Sequence, residues 1–267
     1  MSNFLPARLR TMRKLFEKEK LKRQQEAEIA RANIDNPYQR ACNQMVDFYR
    51  ANESRFKEYF SEYREPNERK AFIKEIYGML NYTAETASPQ YNPNNTFLYR
   101  GLSANDVQDI GQYTNDFSNG QVVFGKKAQL HGTGIYMTTN PDIAIKYATY
   151  GGPCGSIIQC ETSDKIKMAN SEQLLKDKEE VLKLMISQNK DDIGVLSYSN
   201  LLSDNGVFAA IAGYDAINIP EKDYVLILNR GSIAVDDISY YKDGQQYTVE
   251  EFEEQFLQEE IEFTQTK

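Results

Sequence analysis

The stretch GTGIYMTTNPDIAIKYA, residues 132–148, holds the densest group of residues suited to a binding or catalytic site. Two glycines precede an apolar and aromatic run, and a short amphipathic segment follows that includes a second tyrosine. A glycine pair of this kind is compatible with a loop that cradles phosphate. The first question is therefore whether this stretch is a phosphate loop or another type of site.

Sequence context argues against both common phosphate loops. A dinucleotide fingerprint places G-x-G-x-x-G between a strand and a helix. Here Gly134 is followed directly by the strand-like run IYMTT, and the third glycine is missing. A P-loop ends in Gly-Lys-Ser or Gly-Lys-Thr, and this stretch has no such ending. The glycines are thus predicted to serve a different kind of site.

Other reactive side chains are few in the 267-residue chain. Three cysteines, Cys42, Cys154 and Cys160, lack C-x-x-C spacing, and His131 is the single histidine. This sparse, odd set argues against a disulfide framework and a zinc site, so we expect no metal centre. We also expect no membrane span and a cytoplasmic location, because neither a secretory signal nor an apolar run of about 18 residues is present.

Charge is unevenly distributed along the chain, whose net charge is −8. Residues 1–33 carry nine Lys or Arg against four Glu, whereas residues 236–262 carry ten acidic residues against one Lys. A basic head is compatible with contact to a nucleic acid, an acidic partner or a membrane surface. An ordinary solvated helix face is the other interpretation of these basic residues.

Hydrophobic periodicity predicts an N-terminal helical module over residues 1–87, which begins with the basic helix 1–33. The turn-rich break SPQYNPNNT follows it. Residues 88–247 then form a second domain, and residues 248–267 form an acidic C-terminal helix with a capping box.

The second domain alternates short runs rich in Val, Ile, Tyr and Phe with short helices, which predicts an α+β fold. The predicted strands are TFLYRGLS, QVVFG, GIYMTT, GSIIQCET, YDAINI, DYVLILN and GSIAV. The predicted helices are Pro141–Thr149, Ser171–Ser187 and Asn205–Ala212.

Three motifs of residues 96–235 together resemble the ADP-ribosyltransferase family of bacterial toxins and poly(ADP-ribose) polymerases. The first is FLYRGLS, with Arg100 on an early strand. The second is G-x-G-I-Y, which ends at Tyr136 and is followed eleven residues later by Tyr147. The third is an acidic residue, Asp223, before the strand YVLIL. The three motifs occur in the order that the family shows.

The resemblance implies a split, mixed or antiparallel β-sheet as catalytic core and NAD as a substrate. In that family nicotinamide leaves through an oxocarbenium-like transition state, which a carboxylate near the ribose stabilises. Asp223 is the implied acid on NAD, and Glu221 is implied to face the acceptor. Because alternate residues of a strand share a face, we expect both to point the same way. A shift in register along the strand, which would make Glu221 the catalytic acid in place of Asp223, stays open.

The remaining site residues also follow from the resemblance. Arg100 is implied to hold a phosphate or the ribose, while Tyr136 and Tyr147 are implied to stack on the nicotinamide ring. The implied catalytic set is Asp223, Glu221, Tyr136 and Arg100. The implied NAD-binding set is Arg100, Gly101, His131, Gly134, Tyr136, Thr138 and Tyr147.

The motifs mix two classes of the family. The toxin class carries Arg, Ser-Thr-Ser and Glu, whereas the polymerase class carries His, Tyr and Glu. This chain combines Arg100 of the first class with Tyr136 of the second, and it has Asp223 in place of Glu. These departures leave the transfer chemistry open.

The resemblance implies a mono-ADP-ribosyltransferase that modifies a protein or a nucleic acid, RNA or DNA. A toxin of a toxin–antitoxin or phage-conflict system, in the cytoplasm of a bacterium or an infected cell, fits this activity. The N-terminal helices would then bind the target, an antitoxin or a chaperone. Two alternatives stay open: an NAD glycohydrolase, and an inactive protein that binds NAD or ADP-ribose or belongs to a virion.

Overall fold

The computed structural model describes residues 36–61, 65–82, 96–121, 124 and 130–257. The predicted basic helix 1–33, most of the predicted strand QVVFG and the end of the predicted acidic helix lie outside these residues. Within them the chain combines helices with one mixed eight-stranded sheet. The predicted α+β class is therefore confirmed.

Three helices open the described chain: α1 (Pro37–Ala51), α2 (Glu53–Phe60) and α3 (Pro66–Met79). The side chain of Asn36 accepts the first free N–H groups of α1, and proline occupies the first turn, where no N–H is needed. A capping box between Glu65 and Glu68 begins α3. Local capping thus sets the start of both longer helices.

The strands and helices of the second half follow closely on one another. In chain order they are β1 (Phe97–Ala104), α4 (Val107–Ser118), β2 (Ile135–Thr138), α5 (Pro141–Tyr150), β3 (Cys154–Thr162), β4 (Met168–Asn170), α6 (Ser171–Gln188), α7 (Ile193–Leu201), α8 (Asn205–Ile211), β5 (Ala216–Ile219), β6 (Tyr224–Ile227), β7 (Ile233–Lys242), β8 (Gln245–Tyr247) and α9 (Val249–Phe252). Of these, α4, α7, β4 and β8 were not expected from the sequence, and β7 is longer than its predicted strand.

The sheet has the strand order β4-β5-β6-β2-β1-β3-β7-β8. Neighbouring strands are antiparallel except β4 and β5, which are parallel. β1 pairs with β3 along its whole length, but its register with β2 consists of one pair, Tyr99 opposite Thr138. The sheet is therefore narrowly joined at its centre, between β2 and β1.

The largest apolar cluster joins α1–α3 to α6–α8 and to one face of β5 and β6. Ring contacts of 5.2 and 4.9 Å tie Tyr49 and Phe56 of the N-terminal helices to Tyr198 of α7. The helices that the sequence assigns to a separate module thus share a core with the sheet.

A second apolar cluster covers the opposite face of the sheet and includes Phe117 of α4. Cys42, Cys154 and Cys160 are buried and not joined in disulfides. Among the described helices, none combines the length and the apolar character that crossing a membrane requires.

Candidate functional site

The loop that contains the two glycines of G-x-G-I-Y is docked onto the start of α8. The backbone N–H of Thr133 donates to the Asp204 carboxylate at 2.9 and 3.1 Å, and its hydroxyl donates at 2.7 Å. The same carboxylate caps α8 by accepting from the N–H groups of Gly206 and Val207. The Tyr77 hydroxyl of α3 donates to the Thr133 carbonyl. Asp204 thus holds helix and loop together.

Packing explains why both positions are glycine. Gly132 has a φ of +112°, and a Cβ there would lie 2.4 Å from the Gly206 nitrogen. A Cβ on Gly134 would lie 2.8 Å from a Leu226 methyl carbon and 2.9 Å from the Ile227 carbonyl oxygen. Gly134 therefore permits close contact with β6, whereas the sequence predicted close approach to a ligand.

Tyr136 of β2 is partly buried, and its hydroxyl closes the glycine loop. It accepts from the His131 backbone N–H and donates to the Gly132 carbonyl, each at 3.0 Å. Burial raises the pKa of Tyr136. His131 contributes its backbone here, and the contact that the resemblance implies for its side chain remains a prediction.

Three tyrosines meet beside this loop, and we call Tyr136, Tyr147 and Tyr224 the tyrosine cluster. The Tyr224 ring, at the start of β6, lies 6.3 Å from the Tyr136 ring and 6.5 Å from the Tyr147 ring, centre to centre. The hydroxyls of Tyr147 and Tyr224 are 2.9 Å apart. This bond, together with burial, raises the pKa of Tyr224 to about 12. Tyr147 is 51% exposed, so the cluster reaches the surface.

Close packing of α5 on the sheet brings Tyr147 to the cluster. A Cβ on Gly101 of β1 would lie 2.0 Å from the Ala144 carbonyl oxygen. A Cβ on Gly155 of β3 would lie 2.0 Å from the Ala148 carbonyl oxygen. The space above Gly101 is therefore filled by helix backbone, and the predicted role of Gly101 in NAD contact is replaced by a role in helix packing.

Glu221 and Asp223 do not lie on a strand. Glu221 belongs to a 3-10 turn, Pro220–Lys222, and Asp223 follows it in the left-handed conformation with φ 53° and ψ 31°. Both side chains are exposed. The expectation that they alternate on one face of a strand is therefore wrong, because β6 begins only at Tyr224.

Thr138 ties this acidic turn to the tyrosine cluster. Its hydroxyl donates to the backbone carbonyl of Asp223 at 2.7 Å and accepts from the Asn140 N–H at 3.1 Å. The sequence predicted a bond from Thr138 to the acidic residue, and the bond goes to its backbone. The turn is thus anchored to β2, with the Asp223 side chain one residue before Tyr224.

Arg100 lies on the other face of the sheet. Its strand neighbours Leu98 and Ile158 belong to the apolar cluster of that face, whereas Tyr136 packs against the cluster of the opposite face. The Arg100 guanidinium carbon lies 5.0 Å from the centre of the Phe117 ring. The predicted grouping of Arg100 with Tyr136 in one site is therefore wrong. Tyr99 pairs with Thr138 and shares its face, and successive side chains of a strand point to opposite faces, so Arg100 faces away from Tyr136.

Burial shapes the surroundings of Arg100. The side chain is 5% exposed, and burial lowers the pKa of its guanidinium. Arg230 stacks on the same Phe117 ring at 4.6 Å and donates to the carbonyls of Phe117 and Ile233 at 2.8 Å. Two guanidiniums around one aromatic ring describe a structural contact of the core.

The sequence interpretation missed Tyr224 and Asp204. Asp204 carried a usable signal, because Asp directly before a predicted helix is a preferred N-cap. Tyr224 carried none, because its importance arises from the partners that β2 and α5 bring to it.

The chain matches no family model, no curated protein and no solved structure. Within the described ranges, no group of three or more His, Cys, Asp or Glu side chains is spaced to hold a metal ion. Any functional assignment therefore depends on the site itself, which combines aromatic rings with exposed carboxylates.

Proposed function

We propose that the protein is a mono-ADP-ribosyltransferase that cleaves NAD at the tyrosine cluster and transfers ADP-ribose to a macromolecular acceptor. The observation that supports this most directly is the meeting of Tyr136, Tyr147 and Tyr224 beside the Glu221–Asp223 turn. Tyrosine rings suit a flat nicotinamide ring, and carboxylates suit a cationic ribosyl centre.

The reaction breaks the bond between nicotinamide and the anomeric carbon, and the bonding electrons leave with the neutral nicotinamide. Asp223 stabilises the positive charge that develops on the ribose. The acceptor then forms a bond to the anomeric carbon, and Glu221 takes the proton that the acceptor releases. The exposure of both carboxylates suits a large acceptor, which must approach from solvent.

This proposal gives Arg100 no contact with NAD, because the residue is buried against Phe117 on the opposite face. It thereby departs from the family's pattern. The NAD phosphates must then bind donors on the tyrosine face or in the residues around it.

The proposed setting is a toxin of a toxin–antitoxin or phage-conflict system that acts in a bacterial cytoplasm. The acceptor is RNA, DNA or a protein. The exposed surfaces of α1–α3 and the basic residues 1–33 are the proposed contacts for an antitoxin, a chaperone or the target, because a basic segment favours an acidic partner.

A second candidate function is NAD or ADP-ribose binding without turnover. It is favoured by the side chains that β1, β2 and β6 present on the tyrosine face, none of which is acidic within the described strands. They are Phe97, Tyr99, Ser103, Tyr136, Thr138, Tyr224 and Leu226, and Gly101 stands between Tyr99 and Ser103 on the same face.

The test is incubation of the purified protein with labelled NAD and a bacterial lysate, followed by separation of protein from nucleic acid. Asp223→Ala is the inactivating variant, and Asp191→Ala, also exposed and in a turn, is its matched control. We expect macromolecular label that Asp223→Ala abolishes and Asp191→Ala retains. Free ADP-ribose alone indicates a glycohydrolase, whereas binding of NAD without release of nicotinamide indicates the second candidate.

A further inference from the structure

Tyr224 contacts both of the rings that the proposed function assigns to nicotinamide. Aromatic partners meet offset-stacked or edge-to-face, with centres about 4.5–7 Å apart. The Tyr224 ring meets the Tyr136 ring edge-on, at 6.3 Å and 83°, and the Tyr147 ring at a tilt, at 6.5 Å and 56°. Tyr224 therefore holds aromatic contacts of both tyrosines that a bound nicotinamide ring would need.

The three side chains of the tyrosine cluster differ in how many hydrogen bonds hold them. The Tyr136 hydroxyl has two backbone partners in the glycine loop. Tyr147 is half exposed, and its hydroxyl forms a hydrogen bond with the hydroxyl of Tyr224. Thr138 fixes the carbonyl of Asp223, directly before Tyr224. The Tyr224 ring also packs against the larger apolar cluster, so rotation of its side chain gives up those contacts while the Asp223 carbonyl and Tyr136 stay in place.

We propose that Tyr224 controls the affinity of the site for NAD, because its ring occupies the aromatic contacts of Tyr136 and Tyr147 until a nicotinamide ring replaces it. The hydroxyl bond between Tyr224 and Tyr147 is the latch. The proposal rests on the proposed function. When a ligand binds only the open form, its apparent affinity falls by the fraction of molecules that are open. Weakening the latch must therefore tighten binding.

Two conservative variants remove the latch while keeping all three rings. Tyr224→Phe and Tyr147→Phe each delete one hydroxyl of the same bond. A neutral hydrogen bond of this strength corresponds to about a two- to tenfold change in affinity. We expect each variant to bind NAD and free nicotinamide about two- to tenfold more tightly in titration calorimetry. The double variant should gain no more than either single variant, because one bond is removed in all three.

Tyr150→Phe is the matched control, since Tyr150 is an exposed tyrosine of the same helix outside the cluster. It should bind NAD as the unmodified protein does. Steady-state nicotinamide release gives a second readout, in which the latch variants should lower KM for NAD about two- to tenfold and Tyr150→Phe should leave it unchanged.

The outcomes separate the latch from the proposed function. If the unmodified protein binds NAD and either latch variant binds it equally or more weakly, the latch is overturned and the proposed function stands. If none of the proteins binds NAD or nicotinamide while all retain the same thermal unfolding, the proposed function is overturned and the latch falls with it.

Discussion

At β1 and β2 the two faces of the sheet differ in burial and in the side chains that they carry. One face holds Arg100, Phe117 and Arg230 in a buried contact. The other face carries the tyrosine cluster and opens to solvent through Tyr147. The same short strands supply both faces, because successive side chains point in opposite directions.

This difference assigns separate purposes to the adjacent residues Arg100 and Gly101. The arginine packs into the core of one face, while the glycine lets α5 approach the other face. Neither residue contributes a reactive group to the tyrosine cluster. Chemistry in this protein is therefore predicted to depend on the acidic turn, and stability on the arginine face.

The largest effect is expected from Phe117→Ala on the arginine face. Removing a buried aromatic ring costs about 3–5 kcal/mol of unfolding free energy, and here it also leaves two guanidiniums without their ring partner. Urea denaturation followed by circular dichroism measures the loss. Tyr150→Ala, an exposed tyrosine, should change stability by less than about 0.5 kcal/mol. Equal losses in the two variants would contradict a special role for Phe117.

Asp204→Ala tests how the tyrosine face is held. The variant removes a helix cap and leaves two donors of Thr133 without their partner, which should cost about 2–4 kcal/mol. Asp106→Ala, which removes the N-cap of α4 alone, should cost about 1 kcal/mol. Only Asp204→Ala should also raise KM for NAD, because it releases the glycine loop. A KM that rises equally in both variants would argue against the anchoring role.

Arg100→Lys separates the two faces most sharply. Lysine cannot reproduce the planar stack on Phe117 and is more strongly hydrated, so stability should fall by about 1–3 kcal/mol. KM for NAD should not change, because the residue lies away from the tyrosine cluster. A raised KM at unchanged stability would instead support a place for Arg100 in the proposed NAD site.

The smallest effect is expected at alkaline pH, where the raised pKa of Tyr224 should lower the free energy of unfolding. The pKa of Tyr224 is raised to about 12 in the folded protein, so the folded state keeps a proton that the unfolded chain loses above its ordinary value of about 10. Its stabilising contribution is complete below pH 10 and is lost as pH rises towards 12. Tyr224→Phe should therefore lose less unfolding free energy than the unmodified protein between about pH 9 and 11 in urea titrations. Identical losses would contradict the raised pKa.

The sequence predicted the strands well where β-branched and aromatic residues are concentrated, as in β3 and β6. It missed α4, whose sequence VQDIGQYTNDFS has few strong helix formers, although Asp106 provides a cap. The sequence interpretation treated Glu221 and Asp223 as strand residues, because acidic residues at alternate positions are compatible with one face of a strand. In the structure Pro220 begins a 3-10 turn there, and β6 begins at Tyr224.

The site could be predicted only in part. The sequence identified Tyr136, Tyr147 and Asp223 as candidates, and the structure brings the two tyrosines together through Tyr224 and sets Asp223 directly before it. The face on which Arg100 lies relative to Tyr136 depends on the pairing of Tyr99 with Thr138. That register is a tertiary contact, which the residue pattern of either strand does not specify.

The most direct test is nicotinamide release from NAD by the unmodified protein, Asp223→Asn and Arg100→Lys, measured beside the thermal unfolding of each. We predict that Asp223→Asn lowers release about 100-fold without a change in Tm. Arg100→Lys should lower Tm and leave KM for NAD unchanged. Release that survives in Asp223→Asn, or none from the unmodified protein, would contradict NAD cleavage by the acidic turn beside the tyrosine cluster.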